Sequence, residues 1–286
     1  MGPDDFDYIS ALLKKRSGLS LSKDKAYLVE SRLAPAARRH GLSTIEELLR
    51  KLRSNPPESL LVEITEAMTT NESFFFRDKT PFDTFSQYLL PTLLAARETQ
   101  KHFRIWCAAA STGQEPYSLA MILRERAAQL AGWRIEIIAT DISREVIDRA
   151  KAGIYSQFEV QRGLPIQLLV KNFQKTEDHW QIAPELRSMV QFKLFNLLDD
   201  FRTLGRFDLI FCRNVLIYFD PATKRSVLER MAKQMAPDAH VVLGAAETVI
   251  GITDVLRPND AKRGLYELAQ PPAPGSMPGL ARAAGR

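Results

Sequence analysis

The chain of 286 residues carries 39 Lys and Arg against 34 Asp and Glu, a formal charge of +5, with 45% hydrophobic residues and two cysteines. That length suits one large or two modest domains, and no apolar run approaches the roughly 20 residues that span a bilayer. The balance excludes a disordered chain and a disulfide scaffold, and Cys107 and Cys212, each ending an apolar run without histidine neighbours, make no metal site.

The start, MGPDDFDYIS, lacks the basic and apolar parts of a secretory signal, so a cytoplasmic protein is expected. Residues 1–70 read as helices only. Ile9, Leu12 and Leu13 have helical spacing before a stop at Gly18. A second helix is predicted from Ser22 to His40, with Pro35 expected to kink or split it. STIE (43–46) reads as a capping box before the stripe Ile45, Leu48, Leu49, Leu52, and Leu60, Ile64 and Met68 mark a fourth helix. Between Lys14 and Arg53 stand eleven Lys and Arg against four acids, a local +7 that is either a solvated helical face or a docking surface for an acidic partner. Lys25, Arg32 and Arg39 recur every seven residues within it.

The texture changes at TTNESFFFRD (69–78), three aromatics among polar residues, and Thr80-Pro81 starts another helix. From residue 103 apolar strands alternate with helical patterns. Strands are predicted at 103–108, 134–140, 189–195, 207–212 and 240–246, with a terminal one at 264–269. Helices are predicted at Glu115–Leu130, Ser143–Ala152 and Pro221–Met235. This alternation argues for an α/β fold with a mostly parallel sheet. Residues 153–188 are too long for a crossover and read as an insertion with its own small structure. The Pro-, Ala- and Gly-rich stretch 270–286 reads as a disordered tail.

Ligands of such sheets bind beyond the carboxyl ends of the strands. There the chain places AAASTGQE (108–115), Thr140-Asp141, Asn196-Leu197 and Arg213-Asn214. Asp141 alone would pass for a helix cap, but four polar clusters on one sheet edge point to a crevice for a nucleotide-like cofactor. The first loop has one glycine, Gly113, and a carboxylate, Glu115, where a dinucleotide's pyrophosphate would meet repulsion. A cationic ligand fits better, and S-adenosylmethionine, with a sulfonium and an α-ammonium, is favoured over NAD.

Four stretches carry a resemblance: TTNESFFFR (69–77), WCAAASTGQEPYS (106–118), RGLP (162–165) and FCRNVLIYFD (211–220). Together they resemble the chemoreceptor glutamate methyltransferases of bacterial chemotaxis, the CheR family, from the first helices to about residue 269. The resemblance implies a class I S-adenosylmethionine-dependent methyltransferase, Rossmann-like. It carries an all-helical receptor-docking domain (1–70), an interdomain segment (71–102) and a methyltransferase domain (103–269) with a small antiparallel β insertion. It implies cofactor contacts from Asn71, Ser73, Arg77, Glu115 (ammonium), Asp141 (ribose), Asn196, Leu197, Arg213 and Asn214, and places Tyr218 near the transferring methyl, with Arg77 as a second catalytic candidate. Ser73 stands where many relatives have Thr and keeps the hydroxyl.

The implied reaction esterifies receptor glutamates and leaves S-adenosylhomocysteine. A glutamate of pKa about 4.3 is already ionised at pH 7, so no general base is required. That suits a site to which His40, His102, His179 and His240 do not belong. The implied partner is the helical signalling domain of a chemoreceptor, with Arg32, Arg38 and Arg39 as the docking candidates. Nucleic acid, membrane insertion and a metal are not expected, and a monomer is. In some members the inserted subdomain grips a receptor C-terminal pentapeptide through a glycine-bearing loop; here that place reads NFQKTEDHWQI, short and without glycine, so tethering is not expected. Two rival readings stand beside this one: a non-catalytic scaffold, opposed by the intact strand-end residues, and a nucleic-acid methyltransferase, opposed by Arg-Asn-Val-Leu after the fourth strand.

Overall fold

The computed structural model describes residues 1–269; the tail expected to be disordered, 270–286, lies outside them. Helix α1 (Pro3–Ser17) opens with Pro and two Asp, closes with three basic residues and stops at Gly18 in the left-handed region, so both ends match helix polarity. A short 3₁₀ turn, Lys23–Lys25, leads into α2 (Ala26–Arg39). The expected break at Pro35 does not occur. Its missing N–H deprives only the carbonyl of Ser31, an exposed residue whose carbonyl solvent can satisfy. Helix α3 (Ile45–Arg53) has its capping box one residue later than predicted: Thr44 accepts from the Glu47 N–H while Glu47 reaches back to the Thr44 N–H. With α4 (Glu58–Ala67), these helices bury Ile9, Leu13, Val29, Leu33, Leu48, Leu52, Leu60 and Ile64 in a core of their own.

The segment that follows reaches α5 (Thr80–Thr84), a π-helical turn (Phe85–Leu89) and α6 (Leu90–Ala96). The wide turn falls where Pro91 removes a ladder donor. Strand β1 (His102–Ala108) leads to α7 (Gln114–Glu125), β2 (Arg134–Asp141) and α8 (Arg144–Ala152). Next come β3 (Ile154–Ser156), α9 (Gln157–Gln161), α10 (Ile166–Asn172), β4 (Phe173–Lys175), β5 (His179–Ile182) and α11 (Pro184–Ser188). Strands β3, β5 and β4 form a separate antiparallel sheet in that order. The chain returns through β6 (Val190–Leu194), β7 (Phe207–Cys212), α12 (Pro221–Lys233), β8 (Met235–Leu243), β9 (Leu256–Pro258) and β10 (Leu265–Leu268).

The main sheet runs β6-β2-β1-β7-β8-β10-β9, parallel through β8 and antiparallel at its last two strands. Period-2 alternation sorts β1 onto two cores: Phe103, Ile105 and Cys107 face one cluster, Trp106 and Ala108 the other. Both faces are covered, so β7 is buried at every residue. Two differences from the sequence reading matter. Strand β8 begins five residues early, through an irregular register near Phe207, and ends at Leu243, which releases Gly244–Ala246 into a turn. Strand β9 was not predicted, because three residues ending in proline carry no alternation; it pairs only with β10, at the sheet edge.

Candidate active site

After β1 the chain goes to β2 on one side and later to β7 on the other, so the crevice at β1 is a switch point. The turn from β1 into α7 is tight. Ala109, Ser111 and Gly113 all have positive φ, and a Cβ on Gly113 would stand 3.0 Å from that of Ala150. Glycine is therefore required at 113, whereas the strain at Ala109 and Ser111 is held by the surroundings. Ser111 N–H donates to Asp141 (2.9 Å), and its hydroxyl donates to the carbonyl of Asn71 (2.7 Å), tying the loop to β2 and to the interdomain segment.

The cleft above this turn, its open mouth included, encloses about 1010 Å³ and is lined by all nine residues the resemblance implied for the cofactor, and by Tyr218. Asp141 is buried, and burial pushes its carboxyl upward against the opposing pull of the Ser143 and Ser111 N–H bonds. It is thus a loop cap and a cleft residue at once: Oδ1 accepts from Ser143 (3.0 Å), Oδ2 from Ser111.

Glu115, in the first turn of α7, is the most consequential placement. It already has a partner within the protein. Arg213 Nη1 donates to its Oε2 at 2.8 Å, while Oε1 receives no hydrogen bond from the described residues. Burial raises the Glu115 carboxyl, and the Arg213 guanidinium opposes that shift. Arg213 is buried too; its Nη2 donates to the Arg77 carbonyl and to Asp78, both 2.8 Å, and its Nε is buried with no partner. An orphaned buried donor beside a carboxylate with an open oxygen can take a zwitterionic group, carboxylate to guanidinium and ammonium to Glu115. Two glycines able to admit a pyrophosphate are absent from this loop.

The helical domain closes the cleft. Ser17 and Leu19 reach it from the end of α1, Leu19 pairs with Phe219 as an isolated bridge, and Ser20 N–H donates to the carbonyl of Tyr218 (2.8 Å). Gly18 lets this approach happen, since a Cβ there would lie 3.1 Å from the Phe219 ring. The Asn196 amide donates to the Arg16 carbonyl (2.6 Å), so its side chain clips the two domains together, while Leu197 lines the wall. Tyr218, half-buried, ends the 3₁₀ turn Leu216–Tyr218, and Asn214 sits just before it at φ 60°. From the interdomain segment come Asn71, Ser73 and Arg77, the last donating to the Glu72 carbonyl and lying over the Phe74 ring.

The three arginines expected at a docking surface separate. Arg32 turns inward and donates to the carbonyls of Met68 (2.8 Å) and Thr69 (3.0 Å) and to the Thr70 hydroxyl (2.9 Å), holding the segment that roofs the cleft. These bonds make it a clamp on that segment, with its guanidinium spent within the protein. Arg39 pairs with Glu63, whose other oxygen meets His40 at 2.7 Å. Arg38 is exposed with no ion-pair partner among the described residues. Sequence reasoning missed Ser17 and Leu19, and it missed Glu247, which binds the loop of Asn214 from beneath. Glu247 follows the small residues Gly-Ala-Ala beyond a strand, the same signal that singled out Glu115.

With this geometry in view, residues 71–265 match the family described as CheR methyltransferase, SAM binding domain, and residues 4–69 match the CheR methyltransferase all-alpha domain. The chain is 37% identical over 254 residues to chemotaxis protein methyltransferase Cher2 of Pseudomonas putida, covering 87% of this chain and 92% of that protein. It is 39% identical over 255 residues to chemotaxis protein methyltransferase 1 of Pseudomonas aeruginosa (87% and 92%), and 40% identical over 248 residues to the chemotaxis protein methyltransferase of Vibrio anguillarum (86% and 89%).

Proposed function

The chain belongs to the CheR methyltransferase family, whose members depend on S-adenosylmethionine, and from that premise we propose that it methylates glutamate side chains on the helical signalling domain of a chemoreceptor. The observation that carries the site assignment is the Glu115–Arg213 pair, its guanidinium buried, with one open carboxylate oxygen and one orphaned guanidinium N–H. When bound, S-adenosylmethionine supplies an electrophilic methyl on a sulfonium and is left as S-adenosylhomocysteine. In this reading Glu115 Oε1 holds the ammonium, Arg213 and Arg77 face the carboxylate, and Asp141 faces the ribose. Asn71 and Ser73 stand over the cofactor from the roof, and Asn196, Leu197 and Asn214 frame it below.

The acceptor carboxylate is ionised at neutral pH, so the chain has no proton to remove. Its work is alignment and the exclusion of water, which in favourable cases supply roughly 7–11 kcal/mol. Tyr218 borders the mouth, on a backbone fixed by Ser20, and orients the incoming carboxylate. Arg38 and Arg39, on the outer face of α2, attract the acidic receptor helix; Arg32 is excluded from that role by its inward bonds. In this reading the protein acts in the cytoplasm as a monomer. Among the described residues no helix is long and apolar enough to cross a membrane.

A receptor pentapeptide tether is not required. Edge strand β4 offers only three residues, and the β4–β5 turn, Thr176–Asp178, folds on itself through Thr176 N–H to the His179 carbonyl. Specific binding of a receptor C-terminal pentapeptide in calorimetry would overturn that point. The function itself is tested by transferring labelled methyl from S-adenosylmethionine to receptor-containing membranes. A carboxyl ester releases its label as methanol in mild alkali; an alkali-stable product contradicts the proposal.

A further inference from the structure

Glu247 lies outside every motif used so far, yet it is the most heavily bonded carboxylate beside the cleft. It is 8% exposed. Its Oε2 accepts from the N–H of Gly244 (2.7 Å) and Asn214 (2.8 Å); its Oε1 accepts from Leu216 (2.7 Å), Val215 (2.9 Å) and Ile217 (3.3 Å). All five partners are backbone donors, and four belong to consecutive residues of the loop from Asn214 to Tyr218. A carboxylate has about four lone-pair sites, so this one is saturated and has nothing left for a ligand.

The loop it holds needs holding. Asn214 is left-handed at φ 60°, and the next residues turn at once into one 3₁₀ turn that ends at Tyr218. The N–H groups at the start of such a turn have no partner within it and must find one elsewhere. Glu247 reaches them because β8 stops at Leu243 and a turn closes through Glu247 N–H to the Gly244 carbonyl (3.0 Å). Gly244 is required there by space: a Cβ would lie 2.6 Å from Glu247 Oε2 and 2.9 Å from Asn214 N.

We propose that Glu247 is a positioning residue for methyl transfer: its carboxylate fixes the backbone of 214–217 and thereby sets where Tyr218, at the end of that turn, stands against the acceptor. This rests on the reading of the cleft as the site of transfer, and it predicts a signature different from that of a residue that merely supports the fold.

The test is Glu247→Gln, which keeps the shape but turns one acceptor oxygen into an amide that donates toward N–H groups that also donate. Hydrogen exchange of the peptide covering 213–218 should speed up at least about 10-fold, as expected from losing hydrogen bonds of about 1.4 kcal/mol or more, with α12 unchanged. On whichever acceptor the wild type methylates, kcat should fall about 100-fold, the scale of a misplacement near 1 Å, while acceptor KM and cofactor Kd move far less. Tyr218→Phe should lose most of its own effect in the Glu247→Gln background, because residues acting as a unit are not additive. Gly244→Ala crowds the same cradle from the other side and should reproduce the pattern if Glu247→Gln does not fold. Unchanged exchange at 213–218, an unchanged kcat, or losses from Glu247→Gln and Tyr218→Phe that multiply independently would each overturn the proposal. The exchange measurement needs no acceptor, so its failure is distinct from an absence of receptor methylation by the wild type, which would strike the proposed function instead.

Discussion

Two carboxylates stand beside one cleft, each just past a run of small residues at a strand end, and they are used in opposite ways. Glu115, after β1, has one guanidinium partner and an oxygen left open. Glu247, after β8, has both oxygens filled by five backbone N–H groups. The difference is one of direction. The loop after β1 runs straight into α7, so the side chain at 115 projects over the strand ends. The turn after β8 doubles back, so the side chain at 247 points under the neighbouring loop. Unsatisfied acceptors mark a group kept for a ligand; saturated ones mark a group that shapes the backbone.

Each prediction strains that contrast at a different place. The largest effect is expected from Glu115→Gln, which removes the charge and leaves the Arg213 guanidinium with a neutral partner. Charged hydrogen bonds are worth about 1.5–3 kcal/mol, so cofactor Kd should rise by up to about 100-fold, read by calorimetry. Arg32→Ala comes next. It frees three contacts to Met68, Thr69 and Thr70, and loosening the roof should weaken cofactor binding about 10-fold, roughly one to two hydrogen bonds' worth, with receptor KM rising no further than that. The pair Arg38→Glu and Arg39→Glu should do the reverse, raising receptor KM several-fold through lost steering with cofactor Kd unchanged. Equal effects on both constants would remove the distinction between clamp and docking face.

The smallest effect concerns pH. The Lys14 contact, foremost, and the Thr223 bonds lower Asp220 to about 2. A carboxyl depressed in the folded state contributes stability above its unfolded value near 3.8 and loses it as pH falls toward about 2. Asp220→Ala should therefore flatten the acid limb of the stability curve between those values. Glu115 and Asp141 carry the opposite sign, raised by burial, and protonating them does not drive acid unfolding.

Much of the fold was legible because the strands that carry it are apolar runs of the right length; 207–212 was placed to the residue. The failures share a cause, the dominance of tertiary context over local signal. Pro35 did not break α2 because the carbonyl it orphans faces water. The 240–246 run was cut at 243 because Gly244 turns under Asn214, which no local pattern encodes. In the site, polar residues at strand ends were readable, since their position follows from topology. What could not be read was pairing: that Arg213 would take Glu115, that Arg32 would face inward, and that Asn196 would spend its amide on Arg16. Those depend on tertiary packing, for Asn196 and Arg16 on how two domains meet, and a single chain of letters does not state it.

The contrast between the two carboxylates is tested most directly by titrating S-adenosylmethionine into Glu115→Gln and Glu247→Gln side by side. The account predicts a cofactor affinity lowered by up to about 100-fold in the first and near that of the wild type in the second, at the scale of one charged hydrogen bond against none. Equal losses in both variants, or a loss confined to Glu247→Gln, would contradict it.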